Sequence, residues 1–329
     1  MPRPRTKDKH LPRRVYLRHG SYYFVDAAGK WKRLGKTPAD MYRGLADLVD
    51  VGPVQTIGDL IDRYVREVLP SYRAKEQQGR LPHLTRIRAA AGAMAPHDLT
   101  GAHVRQLRDR IGQRKGQEWG RPQLALKALM VLSHLFSWAC EWGIVEVNPC
   151  RGVKRPPQPR RKRYPTDAEF AAVYKRCPPM IQVAMDLALL TGLRREDILR
   201  IDRDACTDDG LTVATGKTGA ALTFNWTAEL KAAVDRGWSM PPRVRRHLVC
   251  TRHGKRYTGD GFSTVWKRAR KAALEAGEIE TAFRFNDIRA KSASDDTSIQ
   301  RASDRLGHTT RAVTERHYIR TPKKVEPLR

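Results

Sequence analysis

Leu306-Gly307-His308-Thr309-Thr310-Arg311-Ala312-Val313-Thr314-Glu315-Arg316-His317-Tyr318-Ile319 sets a tyrosine hydroxyl ten residues after an imidazole, near the C-terminus of a very basic chain. A phenol stays protonated until about pH 10, so tyrosine is a poor nucleophile at neutral pH. A tyrosine that attacks needs a strongly polarised electrophile beside it and groups ready to take its proton. A backbone phosphate held by cations is such an electrophile. The reading therefore turns on whether the rest of the chain supplies a cationic clamp.

Charge says that it can. Across 329 residues, 63 Lys and Arg stand against 35 Asp and Glu, a net charge of +28. Such an excess repels itself in the folded state and points to a polyanionic partner. A membrane surface is the competing partner. Against it, no apolar run approaches the roughly 18–20 residues expected of a spanning helix, and the N-terminus lacks an apolar signal core. Cys140, Cys150, Cys177, Cys206 and Cys250 are odd in number with no Cys-x-x-Cys pair, which reads as free thiols in a reducing compartment. His247, Cys250 and His253 imitate a metal cluster, but Arg243, Arg245, Arg246, Arg252, Lys255 and Arg256 around them would repel a cation, and no metal is expected.

The length suggests two or three domains. Residues 1–50 read as a basic arm and a β-rich module. Arg3, Arg5, Lys7, Lys9, Arg13 and Arg14 lie among Pro2, Pro4 and Pro12, and two aromatic β-rich runs flanking Gly20 within 15–25 and a third at 30–34 follow, the last carrying Lys32 and Arg33. Residues 51–158 read as helical. Ile57, Leu60, Ile61, Tyr64, Val65 and Val68 repeat at three-to-four spacing before Pro70. Pro122 opens, and Gly143 closes, a helix with Leu124, Ala128, Leu132, Leu135, Phe136 and Ala139 on one face. RGVKRPPQPRRKR at 151–163, with Arg155, Arg160, Arg161, Lys162 and Arg163 and no acid, reads as a linker lying on DNA phosphates. Residues 159–329 then form the third domain, with helices at 167–175, 180–190, 195–201 and 262–275 and a hairpin at 211–224.

Four signals converge in that domain. Thr191-Gly192-Leu193-Arg194-Arg195-Glu196-Asp197 puts an arginine at a turn with an acid three residues on to hold it. Gly216-Lys217-Thr218-Gly219 projects a lysine from a hairpin tip. Phe285-Asn286-Asp287-Ile288-Arg289 and the Leu-Gly-His…Tyr segment complete the set. Taken singly, each has an ordinary explanation: a surface salt bridge, a solvated lysine, a packed tyrosine.

In this order and spacing the four resemble the tyrosine recombinases, the phage integrases and Xer-type enzymes, across the whole third domain. The middle segment is similar to that family's helical core-binding domain, and residues 1–50 to the arm-type DNA-binding domain of phage integrases. The resemblance implies a multidomain fold: a small three-stranded β N-terminal module, an all-α SAM-like core-binding domain and a mixed α+β catalytic domain. It implies that Arg194 and Arg289 hold the non-bridging oxygens of a scissile phosphate, that His308 donates a hydrogen bond to it, that Tyr318 attacks to form a 3′-phosphotyrosyl link, and that Lys217 protonates the leaving 5′-oxygen. Asp197 matches an acidic position that supports the arginine. Asn286 stands where the family commonly has histidine and cannot act as a base, so the proton of Tyr318 falls to water, to the phosphate or to a neighbour such as His317. The stretch from Arg289 to His308 is also shorter than usual, and the spacer to Tyr318 one residue longer than in many members.

The implied activity is site-specific recombination of double-stranded DNA at core and arm-type sites without cofactor, by a homotetramer, with DNA-bending and excision accessory proteins as possible partners, in a bacterial host cytoplasm. Two other classes remain open. One is a DNA-binding regulator or architectural protein whose catalytic domain is impaired, motivated by Asn286. The other is a metal-dependent nuclease using Asp202, Asp204, Asp208 and Asp209, acids that sit in a turn-like Asp-Asp-Gly context.

Overall fold

A computed structural model describes residues 11–12, 14–26, 29–46, 48, 54–113, 120–158, 160–216 and 219–321. The chain divides into two compact units, Met1–Pro159 and Arg160–Arg329. The β-rich module and the helical segment fall in the same unit.

The first unit opens with an antiparallel sheet of β1 (Val15–Arg18), β2 (Ser21–Val25) and β3 (Trp31–Gly35) in sequential order. β1 and β2 are joined through His19 and Gly20 at φ 48° and 70°, the doubly left-handed two-residue turn that matches strand twist. Alternation decides the faces. Val15, Phe24 and Leu34 turn inward onto Met41, Tyr42 and Leu45 of α1 (Pro38–Ala46), whereas Tyr16 and Trp31 stay exposed. α2 (Ile57–Glu67), α3 (Ala74–Ala91), α4 (Gly101–Gly112) and α5 (Pro122–Glu141) follow. Thr56 and Asp59 cap each other's backbone N–H at the start of α2. The α2 stripe Ile57, Leu60, Ile61, Tyr64, Val65 and Val68 is buried as its periodicity requires.

The expectation that no apolar run approaches spanning length meets an exception in α5. Its 20 residues carry a mean hydropathy of 1.3 over their most apolar stretch. Lys127 and His134 break the run in the sequence, and packing explains its apolarity: Leu129, Leu132, Leu135, Phe136 and Ala139 are buried in the core of this unit.

The second unit contains α6 (Asp167–Arg176), α7 (Pro179–Thr191), α8 (Arg195–Ile198), a sheet of β4 (Cys206–Thr207), β5 (Gly210–Ala214) and β6 (Ala221–Phe224), then α9 (Ala228–Ser239), α10 (Gly259–Glu275), α11 (Phe285–Ser294), α12 (Ile299–Leu306) and α13 (Arg311–His317). α7 and α11 form its centre, with Ile181, Ala184, Met185, Leu187, Ala188 and Ile288 essentially solvent-free. α7 and α12 both end at a glycine in the left-handed region, Gly192 (φ 65°) and Gly307 (φ 61°). A Cβ on Gly192 would come within 2.5 Å of Leu306 Cδ2, and one on Gly307 within 2.9 Å of Leu222 Cδ1 on β6. These close approaches bring the two helix ends and the β5–β6 hairpin to one place, which is where the polar residues gather.

Candidate active site

Arg194 emerges directly from the Gly192 turn as the N-cap residue of α8, half-buried, with no hydrogen-bond or ion-pair partner among the described residues. Arg289 comes from the middle of α11 and is 2 % exposed. Its guanidinium spans three acceptors: the Gly192 carbonyl, the Leu306 carbonyl at 2.9 Å and His308 Nε2 at 3.0 Å. Both carbonyls belong to helix ends, which leave such groups without intrahelical partners. Burial pulls the Arg289 pKa below its ordinary value, the nearby Tyr318 phenol counters this, and the Arg194 charge adds to the lowering. Two guanidinium groups thus lie close enough for each charge to act on the other.

His308 follows the Gly307 turn, with Nδ1 2.7 Å from the Thr314 hydroxyl. An arginine N–H can only donate, so the contact with Arg289 makes Nε2 the acceptor and leaves the ring proton on Nδ1, directed at Thr314. Thr314 is fully buried and comes from α13, so His308 also anchors the helix that leads to the tyrosine. Tyr318 ends α13. Its ring centroid lies 4.9 Å from that of His308, and the Arg289 guanidinium carbon lies 5.0 Å from the same ring.

A cleft of about 500 Å³ opens on Arg194, Asn286, Gly307, His308, His317 and Tyr318. Arg194 and Asn286 also line a second cleft of about 620 Å³, walled by Arg195, Lys267, Arg270 and Arg284 and floored by Phe262, Trp266 and Phe285. The two therefore share an edge, and the combined groove is cationic with an apolar floor. An anion entering it meets Arg194 with the Tyr318 ring alongside, and Arg289 lies buried against that ring.

Arg194, Asn286, His308, His317 and Tyr318 thus line one cleft, Arg289 touches His308 and Tyr318, and Asn286 is exposed in the first turn of α11. Lys217 lies outside the described residues. The loop that carries it is tethered, since the Gly216 N–H donates to Asp197 Oδ1 at 2.9 Å. That bond corrects one expectation. The Asp197 carboxylate is 2 % exposed and takes its hydrogen bonds from Gly216 and from Arg200, not from Arg194. Arg194 precedes α8 and points into the cleft, whereas Arg200 follows α8 and folds back over Asp197. The acid supports the hairpin.

The basic residues expected on DNA divide in two. Arg14, Lys32 and Arg33 are exposed on the N-terminal sheet, and Arg155, Arg160 and Lys162 are exposed in the linker. Arg161 and Arg163 are engaged internally, Arg161 in a bidentate pair with Asp287 and Arg163 with Glu169 and two carbonyls. Arg3, Arg5, Lys7 and Arg13 lie outside the described residues. Asp208 and Asp209 form the exposed turn between β4 and β5, apart from the groove.

No protein-family model matches the chain. Two curated phage proteins do. The integrase of Escherichia phage HK022 is 24 % identical over 70 % of this chain and 70 % of its own length. The integrase of Enterobacteria phage P21 is 26 % identical over 80 % of this chain and 74 % of its own. Lambda integrase, solved as a dimer bound to a COC′ core site, has the same fold end to end, with a TM-score of 0.70 at 20 % identity over 98 % of this chain and 99 % of that one. The chain is thus similar to phage integrases in sequence and shares the fold of lambda integrase.

The N-terminal sheet presents a second basic and aromatic surface. Arg18 stacks on Trp31 at 4.5 Å from the ring centroid, Tyr16 and Tyr23 pack against the same ring, and Arg33 stands opposite Tyr23 across the sheet. Exposed aromatics interleaved with guanidinium groups suit a nucleic-acid surface.

Sequence reasoning missed Thr314, Ser294 and Arg320, all of which touch the Tyr318 segment or its histidine. A buried threonine four residues before the tyrosine was the one available local signal.

Proposed function

We propose that this integrase-type recombinase cleaves and rejoins DNA at specific sites through a 3′-phosphotyrosyl link formed by Tyr318. The observation that carries this is the placement of the Tyr318 phenol against both His308 and the Arg289 guanidinium, at the edge of a cationic groove that Arg194 enters. Arg194 and Arg289 hold the non-bridging oxygens and offset the charge that grows in the transition state. Tyr318 attacks phosphorus in line, the P–O5′ bond breaks, and Lys217 gives the leaving 5′-oxygen its proton.

With asparagine at position 286, His308 is the candidate base: its ring lies against the phenol ring, and its Nε2 accepts from Arg289 in the free protein. His317 is exposed on α13. Once the phosphate draws Arg289 to itself, Nε2 takes the phenol proton. The resulting imidazolium then has an N–H to donate to the phosphate, so one residue fills both roles in sequence. The ester energy is retained in the protein link, and rejoining requires neither metal nor nucleotide. The residues 1–50 module, the helical segment 51–158 and the catalytic domain 159–329 give one chain two DNA-binding surfaces besides the active site, and each raises the local concentration of the others on a single DNA. Recombination between two duplexes calls for four protomers, and bending or excision factors are candidate helpers.

The test is a nicked duplex selected for binding from a random-sequence pool, incubated with full-length protein in EDTA. A protein–DNA adduct stable to denaturing gels is expected from the wild type and absent from Tyr318→Phe. Tight binding without adduct in the wild type refutes the catalytic reading.

A further inference from the structure

α13 has seven residues and buries Thr314 alone, while Val313 remains 38 % exposed. A helix of two turns with one buried side chain has little of its own to hold it in place. The tyrosine it carries must nonetheless be fixed to within a fraction of an ångström for in-line attack. The structure supplies that constraint from α11, the same helix that carries Arg289. At the C-terminal end of α11, Ser294 Oγ donates to the Tyr318 carbonyl at 3.1 Å and accepts from the Arg320 N–H at 2.9 Å. At its N-terminal end, the Asp287 carboxylate accepts from Arg320 Nη1 at 2.7 Å. The Arg320 side chain runs back along the helix between these anchors and is 6 % exposed.

Asp287 is itself 1 % exposed and fully engaged. Besides Arg320 it accepts from Arg161 Nε at 2.8 Å, from Arg161 Nη2 at 2.5 Å and from the Arg284 N–H at 2.7 Å. Burial by itself would push this carboxyl up; the hydrogen bonds from Arg161, Arg320 and Arg284 outweigh it and hold the pKa below the ordinary value. One ionised carboxylate thus joins three stretches of chain: the linker, the start of α11 and the residue two places after the nucleophile.

We propose that Asp287 is a positioning residue that, through Arg320, locks the Tyr318 segment onto the helix bearing Arg289 and so fixes the phenol for attack. Arg161 neutralises the same carboxylate from the linker side and is the accessory partner. This rests on the reading of Tyr318 as nucleophile. It assigns a role to three residues that act through the Tyr318 segment, of which Arg320 also lines the cleft.

Two measurements on the full chain test it. The first is hydrogen–deuterium exchange without DNA, in wild type, Asp287→Asn and Arg320→Ala. Exchange across 313–321 is expected to rise at least tenfold in both variants, with β5, β6 and α7 unchanged. The second is single-turnover adduct formation on the selected nicked duplex at saturating protein. Both variants should slow it about 30- to 100-fold, the scale of a nucleophile displaced by about 1 Å, with DNA affinity in a Tyr318→Phe background within about threefold.

Arg320→Lys keeps one donor and should recover most of the rate. A bridging 5′-phosphorothiolate, which needs no leaving-group acid, should not rescue either variant. Rates within about threefold of wild type, or unchanged exchange at 313–321, overturn the proposal even if the wild-type adduct depends on Tyr318. If the wild type forms no adduct, the reading of Tyr318 fails, while the exchange measurement still decides whether Asp287 anchors the segment.

Discussion

Replacing Arg289 by lysine keeps the charge and removes the fork. The guanidinium reaches the Gly192 carbonyl, the Leu306 carbonyl and His308 Nε2 from two nitrogens. An ammonium donates from a single point and reaches one or two of these. At least one helix-end carbonyl then loses its partner inside the protein, at about 1–3 kcal/mol, which in a unit of this size lowers Tm by roughly 2–4 °C per kcal/mol. The catalytic loss is larger. Under the proposed function a bidentate clasp on the phosphate goes with the fork, and losing one such transition-state donor costs about 100- to 1000-fold in rate. Single-turnover adduct formation on the selected nicked duplex should therefore fall by that factor in Arg289→Lys, at a temperature well below its Tm. Affinity for the same duplex should change less than about tenfold, because one phosphate contact among many is altered. A rate within tenfold of wild type refutes the claim that fork geometry, rather than charge, is what Arg289 contributes. So does a large loss that disappears on cooling, since that would be instability alone.

Gly192→Ala should cost about 2–4 kcal/mol, combining left-handed strain at φ 65° with overpacking of Leu306. Chemical denaturation checks this, and adding Leu306→Val should recover part of the loss because it removes the Cδ atom in the way. Burial pushes the thiols of Cys150 and Cys177 up to about 12. Both should resist alkylation at neutral pH in the folded protein, while the half-buried Cys140 labels first. Mass spectrometry after brief iodoacetamide treatment reads this directly, and rapid labelling of Cys177 would contradict the packing of the second unit.

The parts of the molecule legible in the sequence are those whose physics is local. The α2 stripe and the Gly192 and Gly307 stops follow from helix period and from φ. Arg194, Arg289, His308 and Tyr318 stood out because their order and spacing resemble the tyrosine recombinase set, and the fold brings Arg289, His308 and Tyr318 into contact. What was misread depends on partners distant in sequence. Asp197 was paired with Arg194 three residues away, yet its hydrogen bonds come from Arg200 and from a backbone N–H nineteen residues on. The linker looked wholly available to phosphates because no acid occurs between 151 and 163. Its counter-charges are Asp287 and Glu169, supplied by the folded second unit.

The same distinction explains the electrostatics of the groove. Asp197 and Asp287, the buried acids closest in sequence to the two arginines, are each committed elsewhere, one to the hairpin and the other to Arg161 and Arg320. Arg194 is left facing the groove without a counter-ion among the described residues, while Arg289 is held by carbonyls and His308, its pKa lowered by burial and by the Arg194 charge. That arrangement destabilises the free protein locally, since each guanidinium would be better placed beside a carboxylate. Under the proposed function a phosphodiester reverses this, because one anion would satisfy both. The acids would then serve the site by staying out of it: they fix the hairpin and the tyrosine segment, and they leave a scissile phosphate as the counter-ion that the clamp lacks.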